Sequence, residues 1–400
     1  MATTAAADED VQIPIPELLE VMLSRGASDL HITAGAPPTI RMHGELVRLE
    51  EYPLLTPRGL QGMIYAILPQ RHREHLEQDL ELDMSYALPG KARFRVNVYW
   101  QRDSLGSAFR LIPYEIKSTD ELRLPEVVKE LARYPRGFIV VTGPTGSGKS
   151  TSLAAMIDQI NNELPVHIMT VEDPIEFLHK HKTAMINQRE VGADTHGFGP
   201  ALKHVLRQDP DVILVGEMRD LETVQTAITA AETGHLVFAT LHTQDAPQTI
   251  DRIIDVFPSH SQQQIRVQLS TTLQGVMTQQ LLQTPDGQGR VVACEVLIAT
   301  SAVRNLIREG KVHQIYSVMQ SGGRFGMQTM DQALADLVKT GQITQQLALE
   351  RCHDPEELTR LMSGGVSAGA ATGFAPGGEY AQQGAPQQAY PPMGGGIPQG

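Results

Sequence analysis

Residues 143–150 read Gly143-Pro144-Thr145-Gly146-Ser147-Gly148-Lys149-Ser150 and match the phosphate-loop pattern G-x-x-x-x-G-K-S/T at every fixed position. Glycines let such a loop curl its N–H groups toward phosphate oxygens, Lys149 supplies a mobile cation, and the Ser150 hydroxyl can ligate Mg²⁺. The apolar run from Gly137 to Thr142 precedes the loop, and Leu153, Met156, Ile157 and Ile160 follow at helical spacing. Strand, loop and helix thus come in the order the site requires, with the helix beginning at about Gly148 and adding its positive dipole end. A nucleoside triphosphate, ATP with Mg²⁺, is the implied ligand of Gly143, Pro144, Thr145, Gly146, Ser147, Gly148, Lys149, Ser150 and Thr151.

Four further groups can supply what phosphoryl transfer asks for: a positioned nucleophile, metal ligands and positive charge. Asp211 to Glu217 is an apolar run ending in a carboxylate, the form of a buried central strand whose C-terminal end faces the nucleotide. Glu217 is the candidate for positioning the attacking water; a surface carboxylate that merely ends a strand is the alternative. Thr170 to Phe177 ends another apolar run with three acidic residues. Of these, Glu172 can hold Mg²⁺ through water or orient the nucleophile and Asp173 can brace it, a solvated acidic loop being the alternative. His235 and His242 bracket one apolar strand, and their odd separation places them on opposite faces if the strand is regular. His242, at the C-terminal end, is the better placed to sense the γ-phosphate, whereas His235 can tie neighbouring elements together; spacing leaves a structural role open for both. Arg95, Arg102 and Arg110 lie on or near the polar face of an alternating strand and its partner, and can bring charge to the transition state from another domain or subunit. A solvated strand face is the alternative for each.

The elements that must position these groups follow from length and pattern. The chain has 400 residues, about two or three domains' worth, and can bury real cores. After an acidic start (1–11), residues 12–115 predict a small α+β domain: a helix over Glu17 to Arg25, short strands either side of Gly44, and the alternating strand Arg93 to Trp100 paired with Ser107 to Ile112. Residues 116–135 form a linker with a short helix between prolines, and 136–300 alternate apolar runs with helical patterns, predicting a mainly parallel sheet covered on both faces. Residues 301–362 read as helical throughout, and 363–400, rich in Gly, Pro, Gln and Ala, predict a disordered tail.

A net charge of −13 weighs against nucleic acid as the direct partner. Cys294 and Cys352 make neither a disulfide framework nor a paired zinc motif, which points to a reducing compartment. No basic-apolar leader opens the chain and no run approaches the ~20 apolar residues of a membrane span. The reading is a cytoplasmic protein that reaches a membrane only through partners.

Taken in order, the phosphate loop, acidic box, Glu217 strand and histidine box resemble those of the secretion and pilus ATPase superfamily of hexameric motors, over roughly residues 12–360. Ala27 to Ile32 and the Arg93 to Pro113 hairpin are similar to that family's PAS-like N-terminal domain, ahead of a RecA-like P-loop ATPase domain of the α/β class. The resemblance implies that Lys149 and Ser150 serve nucleotide and Mg²⁺, that Glu172 is the acidic-box residue and Glu217 the Walker B residue, and that His235 and His242 form the histidine box. It also makes N-terminal arginines γ-phosphate sensors. Ala302 to Glu309 is similar to the C-terminal signature of the pilus-retraction branch, with Val303 where isoleucine is usual. By pattern alone this stretch is only an amphipathic helix. The large extra N-terminal region and paired-cysteine zinc element typical of extension and secretion ATPases are not seen. The expectation is therefore a homohexameric retraction motor at the pilus base, peripheral to the inner face of the cell membrane, acting on an inner-membrane platform protein without inserting into the bilayer. An accessory retraction motor or an extension or secretion ATPase is the rival within the superfamily. Outside it stand a nucleic-acid translocase, which needs a basic channel, and a non-hydrolysing scaffold, against which the complete acidic boxes weigh.

Overall fold

A computed structural model describes residues 13–364 except 43, 113, 114 and 288; the expected acidic start and low-complexity tail lie outside the described residues. The period-two pattern of the first hundred residues becomes a six-stranded antiparallel sheet of order β3-β2-β1-β6-β5-β4. Its elements run α1 (Ile15–Ser24), β1 (Asp29–Thr33), β2 (Thr39–Met42), β3 (Glu45–Arg48), α2 (Pro57–Ile67), α3 (Gln70–Asp79), β4 (Glu81–Leu88), β5 (Ala92–Gln101) and β6 (Ser104–Ile112). Phe94, Val96 and Val98 of β5 point into a core with Leu30, Phe109 and the α1 stripe Ile15, Leu18, Leu19 and Met22. Two elements here carry little pattern: α3 buries only Leu76, and β4 has irregular burial, so pairing with β5 rather than periodicity makes it a strand.

The second sheet has seven strands in the order β13-β12-β7-β11-β10-β8-β9. After α4 (Glu126–Ala132) come β7 (Gly137–Thr142), α5 (Lys149–Glu163), β8 (His167–Glu172), β9 (Met185–Glu190), α6 (Phe198–Val205), β10 (Val212–Val215), α7 (Leu221–Glu232) and β11 (Leu236–Thr240). They are followed by α8 (Ala246–Asp255), α9 (Ser259–Thr272), β12 (Leu273–Gln283) and β13 (Arg290–Ile298). All neighbours pair parallel except β12 with β13. Alternate residues of the strands pack into a core with α6 to α9 on one face and with α4 and α5 on the other, so the runs read as continuously apolar. β12 does not read so, because Thr278 and Gln279 sit among its apolar residues. Both are buried and bonded to other elements, Thr142 Oγ1 donating to Thr278 Oγ1 (3.0 Å) and Gln279 Nε2 to Ser152 Oγ (2.7 Å), while Gln279 Oε1 is left without a partner. The arrangement agrees with a PAS-like domain followed by a RecA-like sheet.

The C-terminal part consists of α10 (Ser301–Arg308), α11 (Ile315–Ser321), α12 (Met330–Lys339), α13 (Gln345–Arg351) and α14 (Pro355–Met362). Helix α10 is anchored by one arginine. Arg304 donates to the carbonyls of Ala299, Ser270 and Thr271 at 2.8 Å each and to Gln274 Oε1 at 2.9 Å, capping the C-terminal end of α9. Arg308 is exposed and reaches only Asn305 (3.3 Å). We expect Arg304→Met to lower stability by about 2 kcal/mol through loss of these charged donors, and Arg308→Met to change it by less than about 0.5 kcal/mol. Urea midpoints compared at equal protein concentration check the difference; equal midpoints would remove the clamp.

Candidate active site

At the end of β7 the backbone passes against β12. A Cβ on Gly143, at φ +134°, would lie 2.4 Å from the Gln279 carbonyl oxygen and 2.7 Å from Ser147 Oγ, so only glycine fits. Gly148, left-handed at φ +91°, caps α5, and the free N–H groups of that helix open into the cleft. Lys149 is buried and its Nζ donates to the carbonyls of Gly143 (2.8 Å) and Pro144 (3.1 Å). Burial lowers its proton affinity, while the charges of Glu217 and Glu176 oppose that shift. Ser147 Oγ is buried beside the loop without a hydrogen-bond partner. A cradle of left-handed glycines, a helix N-terminus, a cation and an unsatisfied hydroxyl suits a polyphosphate. The cleft, about 400 Å³, is lined by Gly146, Gly148, Lys149, Ser150 and Thr151 together with the ends of β8, β10 and β11.

Gly216 is where β10 meets β8: a Cβ there would lie 3.1 Å from Glu172 Cα. This close approach brings Glu217 out at the cleft wall. Its Oε2 is 2.6 Å from Arg219 and its Oε1 is 2.9 Å from His242 Nε2. Arg219, more than His242, holds the carboxyl below the usual carboxylate range against partial burial, so Glu217 is an anion at neutral pH. Glu172 is different. One of its oxygens accepts from Thr170 Oγ1 (2.6 Å) and Gln188 Nε2 (3.1 Å), and burial pushes its pKa up to about 6. Asp173 and Glu176 are exposed and line the same cleft. The backbone of this acidic loop is tied at Ile175, whose N–H donates to buried Glu190 (3.1 Å), and Glu190 also receives Arg93 of β5 (3.0 Å).

The structure therefore brings Lys149, Ser150, Thr151, Glu172, Glu217 and His242 to one cleft. It places His235 at the other end of β11, where Nδ1 lies 2.9 Å from the Ala230 carbonyl and 3.2 Å from Thr233 Oγ1. Arg95 and Arg110 are cross-strand neighbours, both exposed, and Arg102 sits in the β5–β6 turn; none of the three lines this cleft. Arg110 donates to buried Asp29 (2.8 Å). Sequence reading missed Arg219, which a longer look past Glu217 would have included, and Glu176, quoted only as part of the acidic box. It also missed Arg290, at the start of β13, which reaches the cleft through the pairing of β13 with β12 and of β12 with β7.

Fold and site together define a P-loop nucleoside triphosphatase with a PAS-like N-terminal domain, an ATPase. The profile of the type II/IV secretion system protein family matches residues 107–360, and the chain belongs to that family. It is 52% identical over 342 residues to the type IV pilus retractation ATPase PilT of Pseudomonas aeruginosa, covering 86% of this chain and 99% of that protein. It is 42% identical over 346 residues to the type IV pilus ATPase PilU of the same organism, covering 86% of this chain and 90% of that protein. A crystal structure of the pilus retraction motor PilT with bound ADP superposes with TM-score 0.82 at 51% identity, over 87% of this chain and 99% of that one. Among the described residues no helix is long and apolar enough to cross a membrane.

Because Glu172 titrates higher in the folded chain than in the unfolded one, the folded state holds the extra proton at low pH. Its ionisation therefore costs stability as pH rises from about 4.5 to about 6, and the cost stays in place above that. We expect Glu172→Gln to gain melting temperature relative to the unaltered chain across this window and to hold that gain at pH 8. A difference independent of pH, measured by calorimetry, would contradict the assignment.

Proposed function

We propose that the chain is a homohexameric ATPase that powers retraction of a type IV pilus, working at the pilus base on the cytoplasmic side of the cell membrane. One observation carries the reading: a cleft holding Lys149, Glu217 and His242 lies in a chain that matches a retraction ATPase over 99% of that protein's length. The loop N–H groups and Lys149 bind the phosphates. Ser150, with Glu172 acting through water, would hold Mg²⁺, which supplies positive charge to the phosphoryl oxygens; hard oxygen donors at the cleft suit that ion. Glu217, kept anionic by Arg219, accepts a hydrogen bond from the attacking water and orients it. Glu176, exposed and close enough to raise the proton affinity of Lys149, is a further acidic group at the same cleft.

Exposed Arg95, Arg102 and Arg110 are available to a neighbouring subunit's cleft, so that hydrolysis waits on closure between subunits. Motion about residues 116–135 then moves N-terminal domains against ATPase domains and turns a membrane platform protein. The 52% identity to a retractation ATPase, over 99% of that protein, favours a retraction motor. The net charge of −13 disfavours a nucleic-acid translocase.

Lys149→Ala is expected to abolish ATP binding, and Glu217→Gln to bind ATP while phosphate release falls by about 100-fold or more. Rapid turnover by the glutamine variant would remove Glu217 from this role. In source cells carrying Lys149→Ala, excess surface pili with lost twitching are expected; bald cells would reverse the direction of force.

A further inference from the structure

One group of buried carboxylates lies outside the cleft and is not used by the chemistry above. Glu295, in the middle of β13, is 2% exposed, and Asp331, in the first turn of α12, is fully buried. Glu295 Oε1 accepts the backbone N–H of Ala246, the first residue of α8, at 2.8 Å; the next residue, Val296, exchanges backbone hydrogen bonds with Gln328 (2.9 and 3.1 Å), which sets the Met330 N–H at the start of α12 beside the carboxylate, where it favours the charged form. A single carboxylate thus meets the N-termini of two helices, where unpaired N–H groups and the helix dipoles favour an anion. Asp331 repeats the device one step further on: its oxygens accept the N–H groups of His353 (2.7 Å) and Asp354 (2.9 Å), and Asp354 is the N-cap of α14. Tyr316 of α11 stacks on the His353 ring (centroids 5.0 Å apart) and points its hydroxyl at Asp331 (3.4 Å).

The other end of this chain of contacts is the cleft. Only residues 241–245 separate β11 from α8, and they carry His242, which bonds Glu217. The far end of that loop is fastened by the Asp245 cap onto Gln248 N (2.6 Å), by Thr243 to Thr249 (2.7 Å), and by Glu295 to Ala246. Glu295 also lies in register with Thr278, and Thr278 with Thr142, the residue before the phosphate loop. A loop this short cannot let His242 shift against Glu217 without loading the start of α8, and that start is held by a carboxylate shared with α12. Burial, with the Asp245 and Asp331 charges adding to it and the two N–H donors opposing it, pushes the Glu295 pKa up to about 7. The link is therefore built from a group that is costly to bury and is kept in place by its donors.

We propose that Glu295 is a positioning residue that transmits the state of the His242 loop in the cleft to helices α12 and α14. The proposal rests on the reading of the cleft as an ATPase site. It is tested by hydrogen exchange on the full chain, comparing Mg²⁺-ADP with a Mg²⁺-bound non-hydrolysable ATP analogue, together with steady-state turnover. In the unaltered chain the exchange of residues 330–339 and of the His353 and Asp354 amides is expected to differ severalfold between the two nucleotides. Glu295→Gln is expected to keep KM for ATP, to lose several-fold in kcat, and to abolish the difference at both segments. Asp331→Asn is expected to keep the response in 330–339 and lose it at His353 and Asp354, and it decides the matter if the first variant does not fold. A nucleotide response that survives in Glu295→Gln, or one absent from the unaltered enzyme while it turns over ATP, overturns the link alone. An unaltered chain that binds no nucleotide overturns the ATPase reading and the link with it.

Discussion

The site depends on one close approach, between the chain leaving β7 and the Gln279 carbonyl of β12. Every residue of β7 is buried, with β11 on one side and β12 on the other, so the strand has no lateral freedom. At Gly143 it must turn away from the sheet within one residue, and the space left is smaller than a methyl group. That turn puts Gly148 at the cap of α5 and aims the helix N-terminus along the cleft. Thr142 and Thr278 satisfy each other immediately before the turn, which removes the penalty of two buried hydroxyls where the strands are tightest.

Charge in the cleft is arranged by contrast in environment. Lys149 is buried and held by carbonyls, Glu217 is partly open and held ionised by Arg219, and Glu172 is drawn inward by Thr170 and Gln188. Three groups in one cleft thereby differ in charge and proton affinity. The same contrast separates His242, which faces Glu217, from His235, which serves the turn after α7.

Around this centre the contacts run outward in two directions. Glu190 joins the acidic loop at Ile175 to Arg93 in the first sheet, and Glu295 joins the start of α8 to α12. Each is a buried carboxylate shared by two elements. Losing either partner would leave a buried polar group without its hydrogen-bond donor, which costs stability.

The sequence by itself determined the phosphate loop, the Glu217 strand, the strands β7, β8, β10, β11 and β13, and the alternating face of β5, because each is a local pattern written in consecutive residues. Tertiary structure alone decided β4 and β12; the buried Thr278 and Gln279 of β12 find partners in Thr142 of β7 and Ser152 of α5. It likewise decided that Glu172 is held by Thr170 and Gln188 while Glu176 stands exposed in the same cleft, that Arg304 caps another helix, and that Arg290 lines the cleft. These outcomes depend on which strands lie side by side, and a hydrogen bond such as that between Thr142 and Thr278, 136 positions apart, leaves no period in the chain for a reader to find.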